Sequence, residues 1–174
     1  SFPTRRSSDL LVQRLILRHV LHHAENELPG SVFGFRRTPN WTIAKLAEKH
    51  VGQAFVACYD LKNFFPSVRL RHIIPALANI KGPLLRLEST DQDGHAKIKD
   101  IAWTQDAALL VAKLVTRRGH LPQGAPTSPA VANLAFAPYD ERICELLGPH
   151  FVYTRYADDL MVSISRRTGS RRGF

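Results

Sequence analysis

The sequence predicts an α+β fold in which an antiparallel sheet is backed by helices, and three observations carry that expectation. The first is an apolar strand-like run, Ala54-Phe55-Val56-Ala57-Cys58-Tyr59, that ends in Asp60. The second is a long helical stretch opening at Ser128-Pro129, where serine offers an N-cap and proline suits the first helical position. The third is a pair of short apolar runs, Phe151-Val152-Tyr153-Thr154 and Leu160-Met161-Val162-Ser163-Ile164, on either side of Tyr156-Ala157-Asp158-Asp159. Two such runs around a tight polar turn read as a β-hairpin with adjacent carboxylates at its tip.

The remaining elements follow in chain order. Leu11 to Glu27 has helical periodicity through Leu11, Leu15, Val20, Leu21 and Leu28, and stops at Pro29-Gly30. Asn40 is expected to cap a second helix carrying Ile43, Leu46 and Ala47 on one face. The strand to Asp60 is expected to be buried, followed by a helix from about Ser67 to Asn79 with a kink near Pro75. Lys81 to Asp100 is polar and reads as an irregular excursion, with turns at Gly82-Pro83 and Asp93-Gly94. Trp103 to Arg117 is amphipathic and helical, and Ser128 to Leu147 reads as a helix interrupted at Pro138. No internal repeat is present.

Adjacent carboxylates repel each other unless a cation lies between them, so Asp158-Asp159 suits a hard divalent metal. Taken alone, the pair is equally an ordinary Asp-Asp turn. Asp60 adds a second acidic site, since a strand fixes the backbone while a terminal carboxylate reaches the rim; alone it is better read as a cap on the next turn. Between them lies Leu121-Pro122-Gln123-Gly124-Ala125-Pro126-Thr127-Ser128-Pro129, a stiff loop whose glycine lets backbone approach a ligand.

In this order the three elements resemble the reverse transcriptases. Asp60 with Phe64-Phe65 looks like their first palm motif, Gln123-Gly124 through Ser128-Pro129 like their second, and Tyr156-Ala157-Asp158-Asp159 like their metal-binding box. The stretches Leu121 to Pro129 and Tyr153 to Leu160 are most similar to bacterial retron-type enzymes, with group II intron-like enzymes as relatives. Gly34-Phe35-Arg36-Arg37 and the helix Ala44 to His50 are similar to the fingers segment, although Arg-Arg-Thr-Pro replaces the Gly-Arg-Ser that follows Gly-Phe in the family. The resemblance runs from about Phe33 to Ser165.

The resemblance implies a right-hand polymerase with fingers and palm, the thumb absent, and RNA-directed DNA polymerase activity by two-metal phosphoryl transfer to a primer. Two Mg²⁺ ions, replaceable by Mn²⁺, would use Asp60, Leu61, Asp158 and Asp159, the three aspartates being catalytic. Gln123 and Gly124 would lie near the incoming nucleotide. Phe65, five positions after Asp60, would clash with a 2′-hydroxyl and select deoxynucleotides; alternatively Phe64 and Phe65 both plug the core. Arg36 and Arg37 are candidates for the triphosphate, since guanidinium forks suit phosphate oxygens, and equally a solvated pair. Tyr156, Arg117 and Arg118 are candidates for template or primer, the two arginines equally being cations at a helix C-terminus. The implied partners are an RNA template, a DNA or RNA primer, deoxynucleotides and a cognate structured non-coding RNA. Alternatives are a maturase-like RNA-binding protein that does not polymerise, and an antiphage enzyme making untemplated or self-primed DNA.

Composition agrees with a polyanionic partner: the 174 residues carry a formal net charge of +9, with a pI of about 10.1. No apolar run approaches a membrane span and no secretory signal is visible, which suggests the bacterial cytoplasm. Cys58 and Cys144 are expected to be reduced core residues, and His19, His22, His23 and His50 solvated helix histidines. The expected division is an adapter-like artefact (1–10), N-terminal fingers helices (11–53), a first palm segment (54–75), a connecting excursion with its helix (76–118), a second palm segment (119–165) and a basic tail (166–174). The first ten residues look like one reading frame of a sequencing-adapter oligonucleotide and are set aside. As no thumb follows, the chain is expected to be a fragment with weak activity or none in isolation.

Overall fold

The computed structural model describes residues 7–37, 39–81, 85–90, 96–101 and 103–165. Helix α1 (Ser7–Ile16) passes through a π turn (Leu17–Leu21) and the short α2 (His22–Ala24) into a 3-10 turn (Glu25–Glu27). Then follow α3 (Ile43–His50), β1 (Phe55–Asp60), α4 (Phe64–Ser67), α5 (Leu70–Ala78), β2 (Leu85–Thr90) and β3 (Ala96–Ile101). The chain continues through α6 (Gln105–Val115), α7 (Ser128–Leu147), β4 (Phe151–Tyr156) and β5 (Asp159–Ile164). These elements form two compact units, Ser1–Leu28 with Asn63–Ala137 and Pro29–Lys62 with Pro138–Phe174.

In the first unit, Leu21, Ala24, Ile73, Leu77, Ala112 and Val115 are fully buried. The buried stripe of α1 differs from the one its periodicity suggested: Leu11 and Leu15 are exposed, whereas Gln13 is buried. The Gln13 amide donates to the Leu114 carbonyl (3.2 Å) and accepts from the Thr127 hydroxyl (3.4 Å), so a polar side chain can turn inward at little cost. His19 and His23 are exposed, as expected, and His22 lies 3.9 Å from Glu25.

The helix expected from Ser67 to Asn79 is split. Val68 and Arg69 are extended, because the Val68 carbonyl accepts from Leu121 N–H and Leu70 N–H donates to Gly119, both at 3.1 Å. Pro75 lies inside α5. Arg117 and Arg118 are not at a helix C-terminus. They belong to a two-residue turn in which Arg117 and His120 exchange backbone hydrogen bonds of 2.9 and 3.3 Å, with φ +53° at Arg118 and +78° at Gly119. Positive φ at both central positions matches the twist of a tight hairpin.

The irregular excursion expected at Lys81 to Asp100 contains a hairpin instead, β2 pairing with β3 from Leu85↔Ile101 to Thr90↔Ala96. The turns expected at Gly82-Pro83 and Asp93-Gly94 lie outside the described residues. The period-2 alternation of Leu85-Arg86-Leu87-Glu88 and Ala96-Lys97-Ile98-Lys99 accounts for the strands.

The second unit is built on an antiparallel sheet in the order β1-β5-β4. Strand β1 was expected to be buried. It lies at the edge, with Phe55, Val56 and Tyr59 exposed. Cys58 and Cys144 are free and exposed rather than in the core. Helix α7 contains Pro138 without interruption. Helix α3 is capped by Thr42, whose hydroxyl accepts from Lys45 N–H (3.2 Å), not by Asn40. Its buried face is Leu46 and His50, while Ile43 and Ala47 are exposed.

His50 is therefore not a solvated histidine. Its Nδ1 lies 2.7 Å from the Ser163 hydroxyl and its Nε2 2.7 Å from the Thr154 hydroxyl, a bridge from α3 to β5 and β4. A neutral imidazole offers one donor and one acceptor, and hydroxyls supply either complement. Burial holds its pKa below the ordinary histidine value of 6.5. The unfolded chain thus takes up a proton at this position before the folded chain does, so the contribution is complete above about pH 6.5 and lost as pH falls below it. Thermal unfolding followed from about pH 8 to about pH 5 should show a midpoint that drops on the acid side. The drop should be shallower in His50→Gln; His72, whose pKa is lowered by burial and by Arg71 and Arg69, would retain part of it. Equal acid slopes would rule out His50 as a source.

Candidate active site

Strands β4 and β5 are joined by Ala157 and Asp158 alone, since Tyr156 pairs with Asp159. On its other edge β5 pairs Asp159 with Asp60, the last residue of β1. Tyr156, Asp159 and Asp60 thus form one row across three strands, and residues directly opposite in an antiparallel ladder point to the same face. Leu61 N–H donates to the Asp158 carbonyl (2.9 Å), which ties the chain just beyond β1 to the turn. Asp60 and Asp159 are exposed and Asp158 is half-buried. By strand alternation, Thr154 and Ser163 share the face of this row, so His50 braces that face behind the acids.

The opposite face holds a buried ion pair. Arg155 and Asp140 are both fully buried, and Arg155 donates from Nε to Oδ1 (2.8 Å) and from Nη2 to Oδ2 (2.7 Å). Tyr153 Oη donates to the same Oδ1 (2.6 Å), and burial together with the Asp140 charge pushes its phenol pKa up. Arg155 Nη1 then donates to the carbonyl of Ala157 (2.9 Å), inside the acidic turn. The Arg155 backbone is held as well: its N–H donates to Ser31 and its carbonyl accepts from Phe33, both at 2.8 Å.

The segment after Phe33 lies against the turn. A Cβ on Gly34 would come within 2.6 Å of Ala157 N, so only glycine fits this approach. Phe35, at φ +59°, places its ring 6.3 Å from that of half-buried Tyr156. The Arg36 guanidinium lies 3.7 Å over the Trp41 ring and donates to the carbonyls of Pro29 (3.2 Å) and Val32 (3.3 Å). Arg37 is exposed. Ala157 has φ +57° at a position where two-residue hairpins favour glycine, so the turn is held in a conformation that alanine adopts reluctantly.

The other candidate residues belong to the first unit. Phe64 is buried and packs edge-on against Phe136 (5.6 Å), whereas Phe65 is half-buried: one ring fills the core and its neighbour reaches the rim. Gln123 and Gly124 are exposed, as are Arg117 and Arg118. Gly124 has φ +76° and a Cβ there would meet nothing, so conformation rather than crowding accounts for the glycine. Ser128 does not cap α7; its hydroxyl donates to the Pro122 carbonyl (2.7 Å) and closes the loop.

Among the described residues, Asp60, Asp158 and Asp159 have no ion-pair partner. Nor is any group of three or more His, Cys, Asp or Glu drawn close enough to hold an ion unaided. The donor chemistry still fits Mg²⁺, which takes one or two protein carboxylates and completes its shell with water and phosphate oxygens. Sequence reasoning passed over Arg155, Asp140, the bridging role of His50 and the close approach of Gly34. One signal was available: Arg155 has the parity of Tyr153 in a strand whose alternate residues must face inward.

The family of reverse transcriptases (RNA-dependent DNA polymerases) matches residues 7–172. This chain belongs to that family. The match begins within the ten residues set aside on sequence grounds. Among relatives, the retron Mx162 reverse transcriptase of Myxococcus xanthus is 36% identical over 84% of this chain and 30% of its own length. The retron Ec86 reverse transcriptase of Escherichia coli is 29% identical over 87% and 40%. This reverse transcriptase chain thus spans less than half the length of either. The fold, covering 90% of the chain, is similar to 29% of a telomerase from Candida albicans solved with a fragment of telomeric RNA (TM-score 0.53, 12% identity). That likeness shows the right-hand polymerase fold. The family works with divalent metal ions. No helix among the described residues is long and apolar enough to cross a membrane.

Replacing Asp140 with Ala leaves the Arg155 charge buried and unpaired, a loss of about 3–5 kcal/mol. Urea unfolding of Asp140→Ala against the parent chain measures it; a loss under about 1 kcal/mol would mean that Arg155 reaches solvent.

Proposed function

We propose that this chain carries the chemical centre of an RNA-directed DNA polymerase that extends a primer with deoxynucleotides. The observation that supports this reading is the row of Asp60 and Asp159 beside Asp158, acids with no counter-charge among the described residues, in a strongly basic member of the reverse transcriptase family. Asp60, Asp158 and Asp159, with Leu61 at the seam, would hold the divalent ions. When bound, two Mg²⁺ ions (or Mn²⁺) supply charge stabilisation to the attacking and leaving oxygens of in-line transfer at phosphorus.

The chain's own residues then position and select. Asp60 and Asp159 present carboxylates from two paired strands, so their separation is fixed by the ladder and not by loop motion. Phe65 is assigned to excluding the 2′-hydroxyl, and Gln123 with Gly124 to contacting the nucleotide. Arg36, whose guanidinium lies over the Trp41 ring, and exposed Arg37 are assigned to the triphosphate. Tyr156, Arg117 and Arg118 are assigned to template or primer, and an RNA template with a cognate structured RNA is the expected substrate. A protein that only bound RNA would gain nothing from neighbouring carboxylates facing phosphate.

Primer extension on an RNA template with Mg²⁺, using the gene product at its natural length, tests this reading. Asp158→Ala should reduce incorporation by at least about 10³-fold while RNA binding is retained; continued synthesis would refute the carboxylate assignment. Phe65→Val should admit ribonucleotides, with sugar discrimination falling by about tenfold or more. Unchanged discrimination would remove Phe65 from the selection step.

A further inference from the structure

We infer that Arg155 is a positioning residue for the acidic turn, clamping it through the Ala157 carbonyl from a fully buried seat on Asp140. The inference rests on the reading of Asp60, Asp158 and Asp159 as metal-holding acids. It is carried by a continuous chain of contacts: Tyr153 and Arg155 on Asp140, Arg155 Nη1 on the Ala157 oxygen, and Gly34 against Ala157 N. Two features separate this from ordinary core packing.

First, Arg155 reaches a backbone oxygen within the two-residue turn that carries Asp158, so any shift of the guanidinium is passed directly to the acids. Ala157 holds φ +57° without glycine's freedom, and such a conformation persists only where the surroundings determine it. Second, the turn is confined from two directions. Arg155 holds the Ala157 carbonyl, while the backbone of Gly34 blocks movement at Ala157 N. A bidentate guanidinium in a buried site fixes orientation in a way that lysine cannot reproduce. The buried charge is thus placed where it sets geometry, with Asp140 and the phenol of Tyr153 holding its other end.

The test is Mn²⁺ binding, followed by loss of the free-ion electron paramagnetic resonance signal, on the gene product at its natural length. Arg155→Lys keeps the charge but loses the fork. Gly34→Ala leaves the ion pair intact and pushes the turn from the opposite side. Partners that orient a metal's ligands typically alter affinity by about 10–100-fold, and a loss in that range is expected for both variants while far-UV circular dichroism stays native. Asp158→Ala serves as the control for the acids themselves. Should Arg155→Lys fail to fold, Gly34→Ala decides the question alone. Parent-like Mn²⁺ binding in a folded Gly34→Ala, with binding lost in Asp158→Ala, overturns the clamp and leaves the carboxylate reading standing. Absence of Mn²⁺ binding in the unsubstituted protein overturns both.

Discussion

The second unit depends on one interaction, the buried pairing of Arg155 with Asp140. Two charges taken out of water carry a desolvation penalty that their attraction offsets only when the other donors are satisfied. Here they are: the guanidinium spends its fork on Asp140 and its remaining nitrogen on Ala157. Through the same residue the backbone seats the Ser31–Phe33 segment beside β4. Helix, strand, turn and incoming loop are thereby fixed to one residue, the first three through its side chain and the loop through its backbone. A pair of apolar residues could fill the same volume, but it would leave the Ala157 carbonyl without a donor.

The two faces of the sheet divide the work. One carries Asp60 and Asp159, with His50 between hydroxyls behind them; the other carries the buried ion pair. The chain as a whole is strongly basic, so these exposed acids are a local exception to a charge balance that favours polyanions.

The acidic motifs were legible in the sequence because their signals are local. Two apolar runs around four residues specify a hairpin, and a strand ending in aspartate specifies where the third acid stands. Burial was less legible. The apolar run of β1 read as interior, yet β1 is an edge strand, and an apolar run does not reveal how many neighbours a strand has. Its exposure also accounts for Cys58. The β2–β3 hairpin was hidden by composition, since lysine, arginine and glutamate on alternate positions masked a period of two. His50 read as a solvated histidine because its partners, Ser163 and Thr154, lie 113 and 104 positions away along the chain. Polar burial is decided by those partners, and a one-dimensional pattern does not name them.

The bridge from His50 to Thr154 and Ser163 joins residues 104 and 113 positions apart. The same long span separates Gly34 from the turn it confines and Asp60 from its neighbour in the acidic row. The β4–β5 hairpin can form locally within microseconds, whereas contacts closing so long a loop come late in folding. As the chain emerges during synthesis, Asp60 is made early and waits for β5. The acidic row is therefore completed only after nearly all of this stretch has been made and the distant segments have met. The acidic row is consequently a late product of folding, absent from any chain in which these distant segments have not yet met.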